Sequence, residues 1–339
     1  MQVSLNALSL RPDGAGTSTY IRELLHAVPP QWQAGCTALV QQDAARDLPA
    51  AVRARPVRPR AGAGRAAVGM LLRAEPGDLV HGLDVDLPLR LRGPSVTTVH
   101  DLSVFDTPWA FGATRVRGEQ ALIRHALRRA DLVLAVSQFT AERVRSLFGR
   151  TCRVTPLAPA RDMVPARPEE VAGVRERYGL PPRFVLHVGS VEPRKDVPRL
   201  ADACRQAGLP LVLAGGGPGD YLPGHVRRLG FVPRADLPAL YSAATVTGYV
   251  SLYEGFGLPP VEAVACGANV VCTPVADLHA LLGESVTWAG AQGAEGLARV
   301  LQRAADEPRR GTVPHLSWQE TARATVQAYL DLGARPAAA

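Results

Sequence analysis

The chain has 339 residues, 47% of them hydrophobic, with 38 basic residues against 31 acidic and a net charge of +7. That is enough apolar sequence to bury two domains of ordinary size, and it excludes a disordered chain. No apolar run approaches the roughly 18 residues of a membrane span, and the opening Met-Gln-Val-Ser lacks the charged-then-apolar layout of a signal peptide, so a cytoplasmic protein is expected.

The elements alternate in a regular way. Short β-rich apolar runs near Gln2–Leu5, Cys36–Val40, Asp78–His81, Val96–His100, Leu132–Val136 and Arg153–Pro156 are separated by helical patterns, among them Thr17–Ala27, Thr114–Arg129 and Gln138–Phe148. The last of these follows Ser137, a suitable N-cap. Residues Leu48 to Ala74, with Arg53, Arg55, Arg58, Arg60, Arg65 and Arg73 and no acid, read as a loop between strands. A stretch rich in Pro, Ala and charge, Pro159–Pro182, then separates this series from a second one at Phe184–Gly189, Leu211–Ala214, Gly230–Val232, Val246–Val250, Asn269–Cys272 and Val286–Trp288. Strands alternating with helices make parallel βαβ units. The expected architecture is α/β: two tandem Rossmann-like, doubly wound parallel-sheet domains facing a cleft. We place them at residues 1–160 and 183–315, with a linker at 161–182 and a terminal helix in 316–339.

The charges are unevenly distributed. Residues 1–165 carry 21 arginines against 14 carboxylates, whereas residues 166–339 carry 17 basic against 17 acidic groups, so the excess lies in the first half. A basic first half, with a further basic face on the helix bearing Arg115, Arg117, Arg124, Arg128 and Arg129, suits an anionic membrane surface or a phosphorylated acceptor. Nucleic acid is not an expected partner. The scarcity of Lys, Asn and Ile beside abundant Ala, Arg, Gly and Pro fits a GC-rich coding bias, and Lys195 is the only lysine of the chain. An ammonium is a compact point charge and guanidinium a broad planar fork, so a site built for one does not simply accept the other. The five cysteines include no CxxC, so buried thiols are expected rather than disulfides or zinc.

The most specific stretch is Ser251-Leu-Tyr-Glu-Gly-Phe-Gly-Leu-Pro-Pro-Val-Glu-Ala-Val-Ala-Cys-Gly267. A Gly-Phe-Gly turn leading from a strand into a helix exposes amide donors at the positive end of the helix dipole, which suits an anion or sugar oxygens. Glu254 stands before that helix and Glu262 within it, and carboxylates accept hydrogen bonds from vicinal hydroxyls. Structural capping is the plain alternative. Other stretches accompany it: Gly189-Ser-Val-Glu-Pro-Arg-Lys-Asp196, Val99-His-Asp-Leu-Ser103, Ala130-Asp-Leu-Val-Leu-Ala-Val-Ser137, Asp236-Leu-Pro-Ala-Leu-Tyr241 and Ser317-Trp-Gln-Glu320. No phosphate-binding G-x-x-x-x-G-K-[ST] is present, and Gly215-Gly-Gly-Pro-Gly219 is not a dinucleotide fingerprint.

Together these stretches resemble the retaining nucleotide-sugar glycosyltransferases of family 4 (group 1), which have the GT-B fold, and the resemblance covers nearly the whole chain. It implies that Arg194 and Lys195 clamp the donor diphosphate and stabilise the leaving phosphate without a metal. It further implies that Glu262 binds the ribose, and that Glu254 with the amides of Phe256, Gly257 and Leu258 holds the donor sugar. Gly189, Ser190 and Val232 are placed in the donor site on the same ground. In the first domain, Gly14 and Gly16 of the Gly14-Ala15-Gly16 turn lie over the donor phosphate, and His100 faces the transferred sugar. The last helix is expected to cross back to the first domain. Asp84-Val-Asp86 has the spacing of a metal-binding DxD, but neither this resemblance nor any His or Cys cluster supports a metal, so no metal and no cofactor is expected.

Three departures stand out. Ser190 replaces an arginine frequent in relatives, Asn269 replaces a proline, and Ala280 of Asp277-Leu-His-Ala-Leu281 replaces an acid, which bears on the donor sugar. The function expected is transfer of a hexose, first of all mannose from GDP-mannose, to a hydroxyl of a glycan or lipid-linked saccharide. UDP-glucose or another UDP- or ADP-sugar is the next donor. A GT-B nucleotide-sugar epimerase and a catalytically degenerate sugar-nucleotide-binding protein are the rival classes. Such a transferase would be cytoplasmic or peripheral on the inner face of the cell membrane.

Overall fold

A computed structural model describes residues 2–12, 14, 16–72, 74–75, 77–217, 222–290, 293–307 and 315–336. Ala15 of the glycine turn, Arg73 and the Pro218-Gly219 pair lie outside them. The chain divides into one unit made of Met1–Leu157 with Ser317–Ala339 and a second made of Ala158–Leu316.

The first unit is built on a parallel sheet of β1 (Val3–Asn6), β2 (Cys36–Gln41), β3 (Arg53–Val57), β4 (Leu79–Gly82), β5 (Ser95–Val99), β6 (Leu132–Ala135) and β7 (Arg153–Val154). Their order in the sheet is β3-β2-β1-β4-β5-β6-β7. The segment Leu48–Ala74, expected as a loop, therefore contains an edge strand, β3, followed by a helix over Gly62–Met70. Sequence pattern missed β3 because its residues are almost all exposed, so no burial alternation marks it; an edge position also tolerates Pro56, whose missing N–H costs no ladder bond on the open side. The core beneath the sheet joins Val80, Val99, Leu102, Ile123, Leu127 and Val133. The helix Gln138–Phe148 starts at Ser137, whose Oγ accepts the Thr140 amide at 2.9 Å.

The terminal helix Trp318–Asp331 packs on this first unit against the helix Gly16–Ala27. Its attachment is polar as well as apolar. Thr321 Oγ1 donates to the Pro156 carbonyl, and Tyr329 Oη lies 2.7 Å from His81 Nδ1. The other imidazole nitrogen of His81 meets Thr98 Oγ1 at 2.9 Å, and Thr98 also meets Tyr20 Oη at 2.9 Å. Burial, with His100 nearby, pushes His81 down to about 3, so this buried network is neutral.

The second unit carries β8 (Val185–Val188), β9 (Leu211–Ala214), β10 (Arg227–Gly230), β11 (Val246–Tyr249), β12 (Val270–Cys272) and β13 (Thr287–Trp288), parallel throughout, in the order β10-β9-β8-β11-β12-β13. Leu200, Cys204, Val246, Leu297 and Leu301 are among its core residues. The 161–182 stretch is more than a linker: residues Pro168–Tyr178 form a helix packed on Leu237–Ala243. Asn269 earns its place before β12 by donating to the carbonyls of Ala304 and Glu307, at 3.0 and 3.1 Å, at the end of the helix Ala294–Asp306. The cysteines are free, four of them buried and Cys152 half-buried. Burial raises Cys36, Cys204 and Cys266 to about 12, so they are inert thiols.

In each sheet the strand order reverses once, between β1 and β4 and between β8 and β11. Loops at the C-terminal strand ends diverge at such a point and leave a crevice where ligands bind in open α/β sheets. The loops after β8 and β11 carry the motifs singled out above.

Candidate active site

After β8 the chain makes a 3₁₀ turn over Pro193–Lys195, and after β11 it runs through Ser251–Gly257 into the helix Leu258–Ala265. The two loops are joined by the Leu252 amide, which donates to the Arg194 carbonyl at 2.8 Å. This backbone bond puts three charges together. Lys195 Nζ is in short contact with Glu254 Oε1, and Arg194 Nη1 donates to Glu254 Oε2 at 3.2 Å and to the Tyr253 carbonyl at 3.0 Å. Arg194 Nε is held by Glu192 Oε2 at 2.9 Å, and Lys195 Nζ also donates to Tyr249 Oη at 3.3 Å.

The group is well shielded: side-chain exposure is 8% for Lys195, 9% for Glu254 and 11% for Arg194. Burial alone would raise the Glu254 carboxyl, but the charges of Lys195 and Arg194 outweigh it and bring it down to about 2. Glu254 is thus a fixed anion between two cations. Behind it, His187 is fully buried; its Nδ1 donates to the Gly248 carbonyl at 3.1 Å, and burial pushes it down to about 4.

The surrounding backbone explains the glycines. Gly257 has φ +88°, and a Cβ there would lie 2.8 Å from Leu278 Cδ1, so both its conformation and its neighbour require glycine. At Gly215, φ is +148° and a Cβ would fall 2.0 Å from the Gly189 carbonyl oxygen, so the loops after β8 and β9 approach backbone to backbone. The Val191 amide bonds to the Gly216 carbonyl at 2.9 Å and closes that contact.

The remaining donor-side candidates lie on the same unit. Gly189 and Ser190 directly follow β8, and both are partly exposed. Phe256 and Leu258 are buried at the entrance to the helix, where Pro259 and Pro260 supply no N–H, so the amide donors of this end are those of Phe256, Gly257 and Leu258. Glu262 is 6% exposed, on the same helix, and its charge with burial holds the Tyr241 phenol well above its usual range. Val232 is buried two residues beyond β10. Ala280 is exposed on the helix Leu278–Leu282, whose first residue packs under Gly257. Sequence reasoning did not single out Tyr249, Glu192 or Leu278: Tyr249 read simply as a strand residue, and Leu278 is recognisable only through the close approach of Gly257.

The other candidates, Gly14, Gly16 and His100, belong to the first unit. Gly14 and Gly16 follow β1; a Cβ on Gly14 would strike Ser18 Oγ, which bonds the Arg11 amide and the Ser9 carbonyl, whereas at Gly16 it would meet nothing within 4 Å. His100 follows β5, donates from Nε2 to the Leu83 carbonyl at 2.9 Å, and packs edge-on against Tyr20 at 4.8 Å. Asp84 and Asp86 are engaged by protein groups: Ser9 Oγ donates to Asp84 at 2.8 Å and Arg65 Nη1 is in short contact with Asp86. Among the described residues no group of three or more His, Cys, Asp or Glu is placed to hold a metal ion. Nor is any described helix long and apolar enough to cross a membrane.

Comparison with known proteins identifies the family. Residues 16–162 match the family described as Glycosyltransferase Family 4, and residues 175–311 match Glycosyl transferases group 1. Over 281 residues, covering 74% of each chain, the protein is 34% identical to the O-antigen chain mannosyltransferase B of Escherichia coli. In fold it is similar to WaaG, a glycosyltransferase involved in lipopolysaccharide biosynthesis, with a TM-score of 0.71, 18% identity and coverage of 97% of this chain and 95% of that one. Anabaena HepE, solved with UDP and glucose, gives a TM-score of 0.69 at 19% identity, with the same coverage. The two Rossmann-type sheets are those of the GT-B fold, and the chain belongs to the family 4 (group 1) glycosyltransferases.

Proposed function

We propose that the protein is a retaining hexosyltransferase that takes mannose from GDP-mannose and passes it to a hydroxyl of a glycan or lipid-linked saccharide. The observation that carries this reading is the convergence of Arg194 and Lys195 on Glu254 at the β8/β11 crevice. Two cations there oppose the charge that develops on a departing diphosphate, in a shielded site where such stabilisation is strongest, and this needs neither a metal nor a cofactor. Glu254 and the amides of Phe256–Leu258 would hold the sugar hydroxyls, and Glu262 the ribose. With no enzymic nucleophile required, the acceptor hydroxyl attacks the face from which the diphosphate leaves, and a phosphate oxygen takes its proton. Mannose is preferred because of the 34% identity to a mannosyltransferase. A UDP-hexose is the second donor, as the HepE structure holds UDP and glucose.

A thermal-shift screen over GDP-, UDP- and ADP-sugars tests the donor, since a bound donor stabilises by mass action. The largest shift is expected with GDP-mannose; a larger shift with UDP-glucose would reassign it. Membrane contact belongs to the same reading: a groove of about 610 Å³ lined by Phe105, Leu147, Phe148, Arg124, Arg128 and Arg150 joins apolar and cationic groups and suits anionic lipid. Flotation with anionic vesicles, lost on replacing Arg124 and Arg128 with Gln, is the expected result; equal flotation would remove the groove from the account.

A further inference from the structure

Lys195 carries a point charge on a four-carbon stem, and such a stem aims nothing by itself. Glu254 attracts it, but that carboxylate is shared with Arg194. In the reading proposed above, Glu254 also accepts from the donor sugar, so a second anchor for the ammonium is needed. The structure supplies one. Tyr249, the last residue of β11, is 1% exposed, and its hydroxyl receives a hydrogen bond from Lys195 Nζ at 3.3 Å while the ammonium lies 5.3 Å from the centre of its ring. Burial, with the neighbouring Glu254 charge, holds the phenol well above its usual range, so this oxygen is neutral.

The tyrosine is itself held. Its ring is nearly parallel to that of His187, 16° between planes and 6.2 Å between centres, and His187 is fixed to the Gly248 carbonyl through Nδ1. The Nε2 of His187 is buried with no hydrogen-bond partner among the described residues, a costly arrangement for a core that an apolar ring would fill more cheaply. A phenol and an imidazole in such a place are accounted for by the ammonium they support.

We propose that Tyr249, backed by His187, is a positioning residue that aims Lys195 at the second phosphate of the donor. This rests on the nucleotide-sugar reading of the site. The test uses the full chain and measures dissociation constants for GDP and GMP, with UDP and UMP as a parallel pair. Tyr249→Phe keeps the ring and removes the oxygen; it should weaken diphosphate binding about 10-fold, the scale of one hydrogen bond to a charged group, and leave monophosphate binding unchanged. In a Lys195→Met background the same substitution should have no effect on either. Equal weakening of mono- and diphosphate, unchanged diphosphate affinity, or a full effect in the Lys195→Met background would each overturn the proposal. A wild-type protein that binds diphosphates no more tightly than monophosphates would instead overturn the reading of the site on which it rests.

Discussion

Replacing Lys195 with Met removes the ammonium while keeping an unbranched side chain of similar reach. Glu254 would then remain buried with Arg194, 3.2 Å away, as its cationic partner. Its carboxyl stands at about 2 against an ordinary 4.5, which corresponds to about 3 kcal/mol in favour of the ionised form. Removing one member of a buried pair typically costs about 3–5 kcal/mol, and the surviving arginine should keep the loss near the lower end. Because the folded-state value is depressed, the stabilisation is fully present above pH 4.5 and is lost as pH falls toward 2. Urea unfolding of Lys195→Met, Glu254→Gln and the double variant measures this directly. At pH 7 the double variant should be more stable than the sum of the single losses implies, by at least about 2 kcal/mol, and the gap between wild type and Lys195→Met should narrow below pH 4.5. Additive losses within about 0.5 kcal/mol, or a gap that ignores pH, would refute the argument.

Other perturbations probe the frame. Gly257→Ala places a Cβ against Leu278 at φ +88° and should lower stability by about 1–3 kcal/mol together with nucleotide affinity; Leu278→Ala in the same chain should recover only the steric part, as a urea midpoint series would show. Gly215→Ala meets backbone rather than a side chain, so its loss of donor affinity should resist rescue by any substitution at Leu278. Tyr329→Phe leaves His81 Nδ1 buried without its 2.7 Å partner and should cost about 1–3 kcal/mol, seen as earlier release of the terminal helix in amide hydrogen exchange. Ser137→Ala should cost about 1 kcal/mol through its lost cap, with donor affinity unchanged in a nucleotide titration.

What sequence could reveal followed burial. Strands such as β1, β9 and β11 are short, buried on both faces and flanked by helical periodicity, so both sheets and their parallel sense were legible. β3 was not, because Arg-Ala-Arg-Pro-Val at an exposed edge buries no face and holds a proline. The helix Pro168–Tyr178 was hidden by the prolines and charges around it, although Pro168 itself suits a first turn. In the site, Arg194, Lys195 and Glu254 were recognisable from motif and charge type. Their mutual pairing was not, since the Leu252–Arg194 backbone bond that brings the loops together spans 58 residues of sequence. Tyr249 escaped for a related reason: a strand tyrosine ordinarily packs, and only its hydroxyl's distance to Lys195 distinguishes it.

We propose that a hexose is transferred with retention at Arg194, Lys195 and Glu254. Incubating the protein with GDP-mannose and methyl α-mannoside and following the anomeric protons by NMR tests it most directly. Release of GDP and a new α-linked mannosyl signal are expected, both lost in Lys195→Met. A β-linked product, an epimerised sugar nucleotide, or full activity without Lys195 would contradict it.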